Sequence, residues 1–167
     1  VNTALIKDNY ITDTGGGSRG LGIGIRSNSG VQPTNVTISG NVILRMVCDG
    51  MDLNGNQITI ENNILGDSYN GSCHQDALEI YGDFWNSVIR NNTIYDYTQL
   101  IYGGPDDGSS QKWDNIEIYG NVMFTNKYWT VKGGEAPAIW VFAGMGGNAP
   151  IRNMTIHSNT FGWTGLA

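Results

Sequence analysis

Positive charge is scarce in this sequence: nine Lys and Arg stand against fifteen Asp and Glu, for a formal net charge of −6. Nucleic acid is therefore not an expected partner, because phosphate binding needs clustered basic residues and these nine are scattered. Long apolar runs are missing as well. The longest, around Ala136–Ala143, is far too short to span a bilayer. Only two cysteines occur, Cys48 and Cys73, which allow one disulfide without defining a redox compartment. No basic, apolar leader opens the chain and residue 1 is Val, so a mature or excised product is expected. What is present argues against disorder: 40% hydrophobic residues, 10% aromatic, and 167 residues, enough for one domain with a sizeable core.

One short phrase recurs six times, and repeats dictate architecture. The copies are TALIKDNYI, NVTISGNVI, QITIENNIL, NSVIRNNTI, NIEIYGNVM and NMTIHSNTF. Each places an Ile three residues before a fixed Asn: Asn9, Asn41, Asn63, Asn92, Asn121 and Asn159. An apolar residue always follows that Asn two places later. Alternation with period two predicts strands, and the residue before each Asn is of a kind that tolerates turn or left-handed backbone. Strand, tight turn and strand, with no helical periodicity between copies, describes one coil of a parallel β-solenoid. The expected fold is all-β, a single solenoid over residues 1–167 of about six coils with uncapped ends. The repeated Asn is expected to stack as a ladder inside the turn, each side-chain amide bonding the next coil.

The stretches between copies hold a second strand set: LGIGIRS, DGMDLNG, DALEIYG, TQLIYGG and PAIWVFA. Inward positions are expected at Ile23/Ile25, Met51/Leu53, Leu78/Ile80, Leu100/Tyr102 and Ile139/Val141. That puts Gly24, Asp52, Glu79, Ile101 and Trp140 in one outward column. Arg26, Asn54, Tyr81, Gly103 and Phe142 form the next. Intervening segments of varying length flank this face, which is where a solenoid builds a groove.

On these residues the sequence resembles the right-handed parallel β-helix superfamily of pectate lyases, polygalacturonases, related polysaccharide enzymes and phage tailspikes. The repeated phrase carries the resemblance over nearly the whole chain. CDGMDLNG, from Cys48, is similar to the Asp-Gly-x-Asp strand of polygalacturonases. HQDALEIYG, from His74, is similar to a His-x-Asp-x-Ile-Gln string of β-helix proteins acting on polysaccharides, with Leu78 and Glu79 in place of Ile and Gln. The Gly-His-Gly that polygalacturonases carry one coil on has no counterpart here. The resemblance implies a right-handed helix, a polysaccharide partner and an extracellular or cell-surface location.

Asp49, Asp52, Asp76 and Glu79 occupy equivalent positions in two adjacent copies. Asp52 is expected to stack on Glu79 about 4.8 Å away, close enough for the two carboxylates to share a proton. Such a pair suits glycosidic cleavage, one group as general acid and the other activating water or attacking. The same four carboxylates also suit a Ca²⁺ site, so the expected cofactor is none or Ca²⁺. A solvated acidic patch is the third reading. His74, beside Asp76, is a candidate general base, or only a hydrogen-bonding group at a turn. Tyr81, Trp140 and Phe142 are candidate stacking platforms for sugar rings, or a satellite core under the long loops. Asn54 and Arg26 join them as candidate substrate contacts, and Lys132 is a candidate to meet a sugar carboxylate, or an ordinary surface lysine. Two reactions stay open, hydrolysis of a weakly charged glycan and calcium-assisted β-elimination.

Solenoid ends without caps are open sheet edges. They suggest a piece of a longer β-helix or end-to-end self-association. A structural, adhesive or appendage protein is therefore the competing class of function.

Overall fold

Six residues precede the repeated Asn, and all six take left-handed backbone: Asp8, Gly40, Asn62, Asn91, Gly120 and Ser158 have φ of 56, 66, 57, 55, 66 and 52°. Asn, Asp and Gly enter this region most readily, so the sequence fixes where each strand turns. The computed structural model describes residues 2–14, 20–27, 30–68, 75–105, 111–125, 138–142 and 150–163. His74, Lys132, Cys73 and most of the flanking loops lie outside the described residues.

Among the described residues there are fifteen strands and no helix. The chain begins with β1 (Ala4–Lys7), β2 (Tyr10–Thr12), β3 (Ile23–Ile25), β4 (Thr34–Ser39) and β5 (Val42–Leu44). It continues through β6 (Met51–Glu61), β7 (Ile64–Gly66), β8 (Asp76–Arg90), β9 (Thr93–Tyr95) and β10 (Gln99–Gly104). It ends with β11 (Trp113–Tyr119), β12 (Val122–Thr125), β13 (Ile139–Val141), β14 (Ile151–His157) and β15 (Thr160–Trp163). Every pairing is parallel. One sheet runs β1-β4-β6-β8-β10-β13, with β3 on β6, β11 on β8 and β14 on β11. The other runs β2-β5-β7-β9-β12-β15.

β6 and β8 each serve two strand sets. Their first halves pair with β3 and β10, their second halves with β4 and β11. The corners fall at Gly55 and Gly82, with φ of 135 and 87°, and the register shifts between Leu53 and Gly55. A side chain at φ of 135° would be strained, and a Cβ on Gly55 would also lie 2.4 Å from the Pro33 carbonyl oxygen.

Inward side chains from all three strand sets meet in one core. Ile6, Ile38, Ile60, Ile89, Ile118 and Ile156 stand in continuous register across β1, β4, β6, β8, β11 and β14. The middle four are 0–1% exposed. Each such burial contributes about 1.5–3 kcal/mol, which is why the Ile is repeated. The Asn ladder is present: Nδ2 of Asn9, Asn41, Asn63, Asn92 and Asn121 donates to Oδ1 of the next Asn at 2.8, 3.0, 3.0, 2.9 and 2.9 Å.

The register of β10 differs from the expectation. Ile101 pairs with Leu78 and Ile139 and is 1% exposed, while Tyr102 pairs with Glu79 and Trp140. Tyr102 therefore faces out and Ile101 in. A slip of one residue exchanges the two faces of a strand, and the consecutive apolar pair Leu100-Ile101 hid the correct phase.

Candidate functional site

The first halves of β6 and β8, with β3, β10 and β13, form the face on which the expected site lies. Period-two alternation turns Met51, Leu53, Leu78 and Ile80 inward, so Asp52 and Glu79 between them must point the other way. They are register partners, and the outward column reads Gly24, Asp52, Glu79, Tyr102, Trp140.

Charge in this column is balanced by Arg26, which follows β3. Its guanidinium ion-pairs with Asp52 and lies 3.4 Å from Glu79. The two carboxylates thus share one cation. The Asp52 side chain is only 8% exposed, Glu79 20% and Arg26 55%. Glu79 and Arg26 are therefore the parts of the triad that meet solvent. Asn54 is committed locally, its Oδ1 accepting the Ser27 backbone N–H at 2.7 Å. That bond ties the segment after β3 to β6 and so aims Arg26.

Aromatic rings continue the same face. Tyr102 lies edge-on to Trp140, with centroids 5.9 Å apart at 84°, and packs on Phe142 at 5.2 Å. Tyr81 reaches Phe142 at 5.7 Å and Tyr102 at 6.0 Å. Tyr81 and Phe142 sit two strands apart, about 9.6 Å by backbone spacing. They meet because Gly104, the partner of Tyr81, lies between them: a Cβ there would come within 2.9 Å of the Phe142 ring. Trp140 remains 38% exposed and forms the outer edge of the cluster. Tyr102 escaped the sequence reading through the β10 register. Matching Gln99 rather than Thr98 to Asp76 would have found it, since Gln99 is the true partner.

Two expected members stand apart from this surface. Asp76 is 0% exposed and so does not meet solvent in the groove. Asp49 Oδ1 accepts the Asp76 backbone N–H at 3.0 Å, a bond that closes the entry to β8. The Asp49 carboxylate thus serves the backbone, and the buried Asp76 stands apart from the exposed part of the Asp52–Glu79 pair. Among the described residues no group of three or more His, Cys, Asp or Glu is disposed to hold a metal ion. His74 and Lys132 lie outside the described residues. Cys48 is 4% exposed and disulfide-bonded. His157 lies on another face, stacked on Tyr119 at 5.1 Å with Nε2 3.3 Å from Glu117. Among the described residues no helix is long and apolar enough to cross a membrane.

The arrangement is one flat strip. It presents the Glu79 carboxylate and the Arg26 guanidinium, which hydrogen-bond hydroxyls, beside four rings that offer apolar area. Comparison with family models, curated proteins and solved structures yields no match to this chain.

Proposed function

We propose that this chain is a right-handed parallel β-helix of about six coils, extracellular or at the cell surface, that cleaves glycosidic bonds in a polysaccharide lying along the face of β6, β8, β10 and β13. The observation that carries this reading is the single column Asp52, Glu79, Tyr102, Trp140. A sugar ring stacks its C–H face on an aromatic while its hydroxyls need charged or polar partners, and here both lie one strand apart. The helix supports the geometry, because stacked parallel strands repeat about every 4.8 Å and present their side chains in a straight row.

Within the pair, Glu79 is the group substrate would meet, as general acid or base. Asp52 would act from below, fixed by Arg26. Calcium-assisted β-elimination is the other route from the same face. In that case Ca²⁺ would supply the positive charge that neutralises a sugar carboxylate, with Glu79 and Asp52 as the available oxygen ligands.

A second reading, a non-catalytic structural, adhesive or appendage β-helix, is favoured by Arg26. A guanidinium that engages both carboxylates ties β3 to β6 and β8, as a structural ion pair does. The deciding experiment incubates the chain with neutral and uronic polysaccharides, with calcium or chelator, following reducing ends and unsaturated-product absorbance together. Reducing ends alone, abolished by Glu79→Gln, support hydrolysis. Absorbance that chelator removes supports the lyase. Silence on every glycan from a folded sample rejects cleavage.

A further inference from the structure

The corner that ends the first face of β8 holds a recess. Gly82, at φ of 87°, has no side chain there. A Cβ on it would stand 3.6 Å from Asn54 Nδ2 and 3.7 Å from Gln111 Nε2. The two amides thus flank the space that a side chain would fill. They come from neighbouring strands, Asn54 on β6 and Gln111 just ahead of β11. Asp83 fixes the corner beside them: its Oδ1 accepts the Lys112 backbone N–H at 2.6 Å and its Oδ2 accepts Gln32 Nε2–H at 2.8 Å.

Hydrogen-bonding capacity is left over at this corner. Gln111 Oε1 is buried and has no hydrogen-bond partner among the described residues, and neither has Gln32 Oε1. Asn54 uses its Oδ1 on the Ser27 backbone N–H, while its Nδ2 lies at the recess. An acceptor buried without a donor is costly, and such groups are few in native structures. Because nothing among the described residues holds the Gln111 amide, it can turn toward the recess without breaking a bond. A neutral amide offers N–H donors and a carbonyl acceptor together, and a sugar hydroxyl is likewise both donor and acceptor. A cation would meet the N–H groups of Asn54, and an anion would meet the Asp83 carboxylate.

The recess lies beside the column of Asp52, Glu79, Tyr102 and Trp140, not along it. That column crosses the strands, whereas Gly82 stands further along β8 than Glu79, about 10 Å to the side. A chain lying on the column reaches the recess only with a group that projects sideways. We infer that the Gly82 recess is a subsite for a single neutral sugar that branches from the polysaccharide, with Gln111 and Asn54 as its hydrogen-bonding residues. The inference rests on the glycan reading proposed above and narrows its substrate to a branched chain.

Calorimetric titration with gluco-, manno-, xylo- and galacturono-oligosaccharides, each bare and with a single-sugar branch, tests this. The wild type should hold a branched form roughly fivefold more tightly than its bare counterpart, the effect of one or two hydrogen bonds. Gln111→Met keeps the length of the side chain and removes the amide. It should bind both forms at the bare affinity, with a thermal midpoint no lower than that of the wild type. Trp140→Ala should weaken both forms alike. A wild type that binds bare and branched forms equally overturns the subsite and leaves the glycan reading standing, as does a folded Gln111→Met that keeps the preference. A wild type that binds none of these sugars removes the glycan reading and the subsite together. Should Gln111→Met fail to fold, the wild-type comparison decides alone.

Discussion

Asn63 gives both its backbone N–H and its side-chain Nδ2–H to Oδ1 of Asn92, at 2.9 and 3.0 Å, with both residues 1% exposed. Two buried donors thus depend on one oxygen. The side chain of Asn92 also donates to Ile60 O and Asn121 Oδ1. No aliphatic residue of similar size can replace it.

Asn92→Ala should therefore destabilise the chain by about 3 kcal/mol, since each buried polar group left unpaired costs about 1–3 kcal/mol. The midpoint of thermal unfolding should fall by roughly 6–12 °C for a chain of this size. Asn9→Ala, at the exposed start of the ladder, should cost under about 1 kcal/mol in a monomeric sample. Equal losses at the two sites would mean that burial of the ladder does not set its strength.

Arg26 offers a second test. Removing it in Arg26→Ala leaves the 8%-exposed Asp52 carboxylate without its cation. Because Arg26 is itself half exposed, the loss should be about 1–2 kcal/mol, below that of a fully buried pair. Asp52→Asn in the Arg26→Ala background should be milder than Asp52→Asn alone. A double-mutant cycle in urea reads this coupling, and additive losses would show that the ion pair contributes nothing.

Tyr97 carries the reverse prediction. It is 1% exposed, and its hydroxyl has no hydrogen-bond partner among the described residues. Burial first, and the charge of Asp49 second, raise its phenol well above the usual value of 10.0. A phenol that ionises more easily unfolded than folded keeps its stability below pH 10 and loses it as pH climbs above that value. Tyr97→Phe should stabilise the chain by about 1 kcal/mol at neutral pH and blunt its alkaline unfolding. A destabilised Phe variant, or an unchanged alkaline limb, would contradict the burial argument.

Much of this was legible in the sequence because the repeat obeys local rules. Period-two alternation fixed the inward Ile column, and a left-handed residue before each Asn fixed the turns. Other corners were harder to read. Asn35, Asn86, Asn115 and Asn153 have φ of 48–55°, yet they look like ordinary polar residues at the head of a strand. Arg45, with φ of 57°, has no local signature at all. Gly55 and Gly82 bend β6 and β8 within single strands, which a pattern of short strands does not anticipate. At the site, Asp52 beside Glu79 followed from alternation alone. The ion pairs of Arg26 and the burial of Asp76 arise between copies 23 to 53 residues apart, as with Asp76 against Gln99 and Arg26 against Glu79. No local pattern carries that information.

The central claim is that the column from Asp52 to Trp140 holds a glycan, and retention of the chain in gels cast with single polysaccharides tests it most directly. Trp140 is exposed and terminal, so Trp140→Ala should leave the fold intact. One lost stacking contact is worth about 1–2 kcal/mol, so retention on the recognised glycan should weaken about tenfold. Glu79→Gln should weaken it less, since an amide still hydrogen-bonds hydroxyls. The account predicts a glycan that slows the wild type and slows Trp140→Ala far less. A wild type that migrates freely through every glycan, or one retained equally with and without the indole, would contradict it.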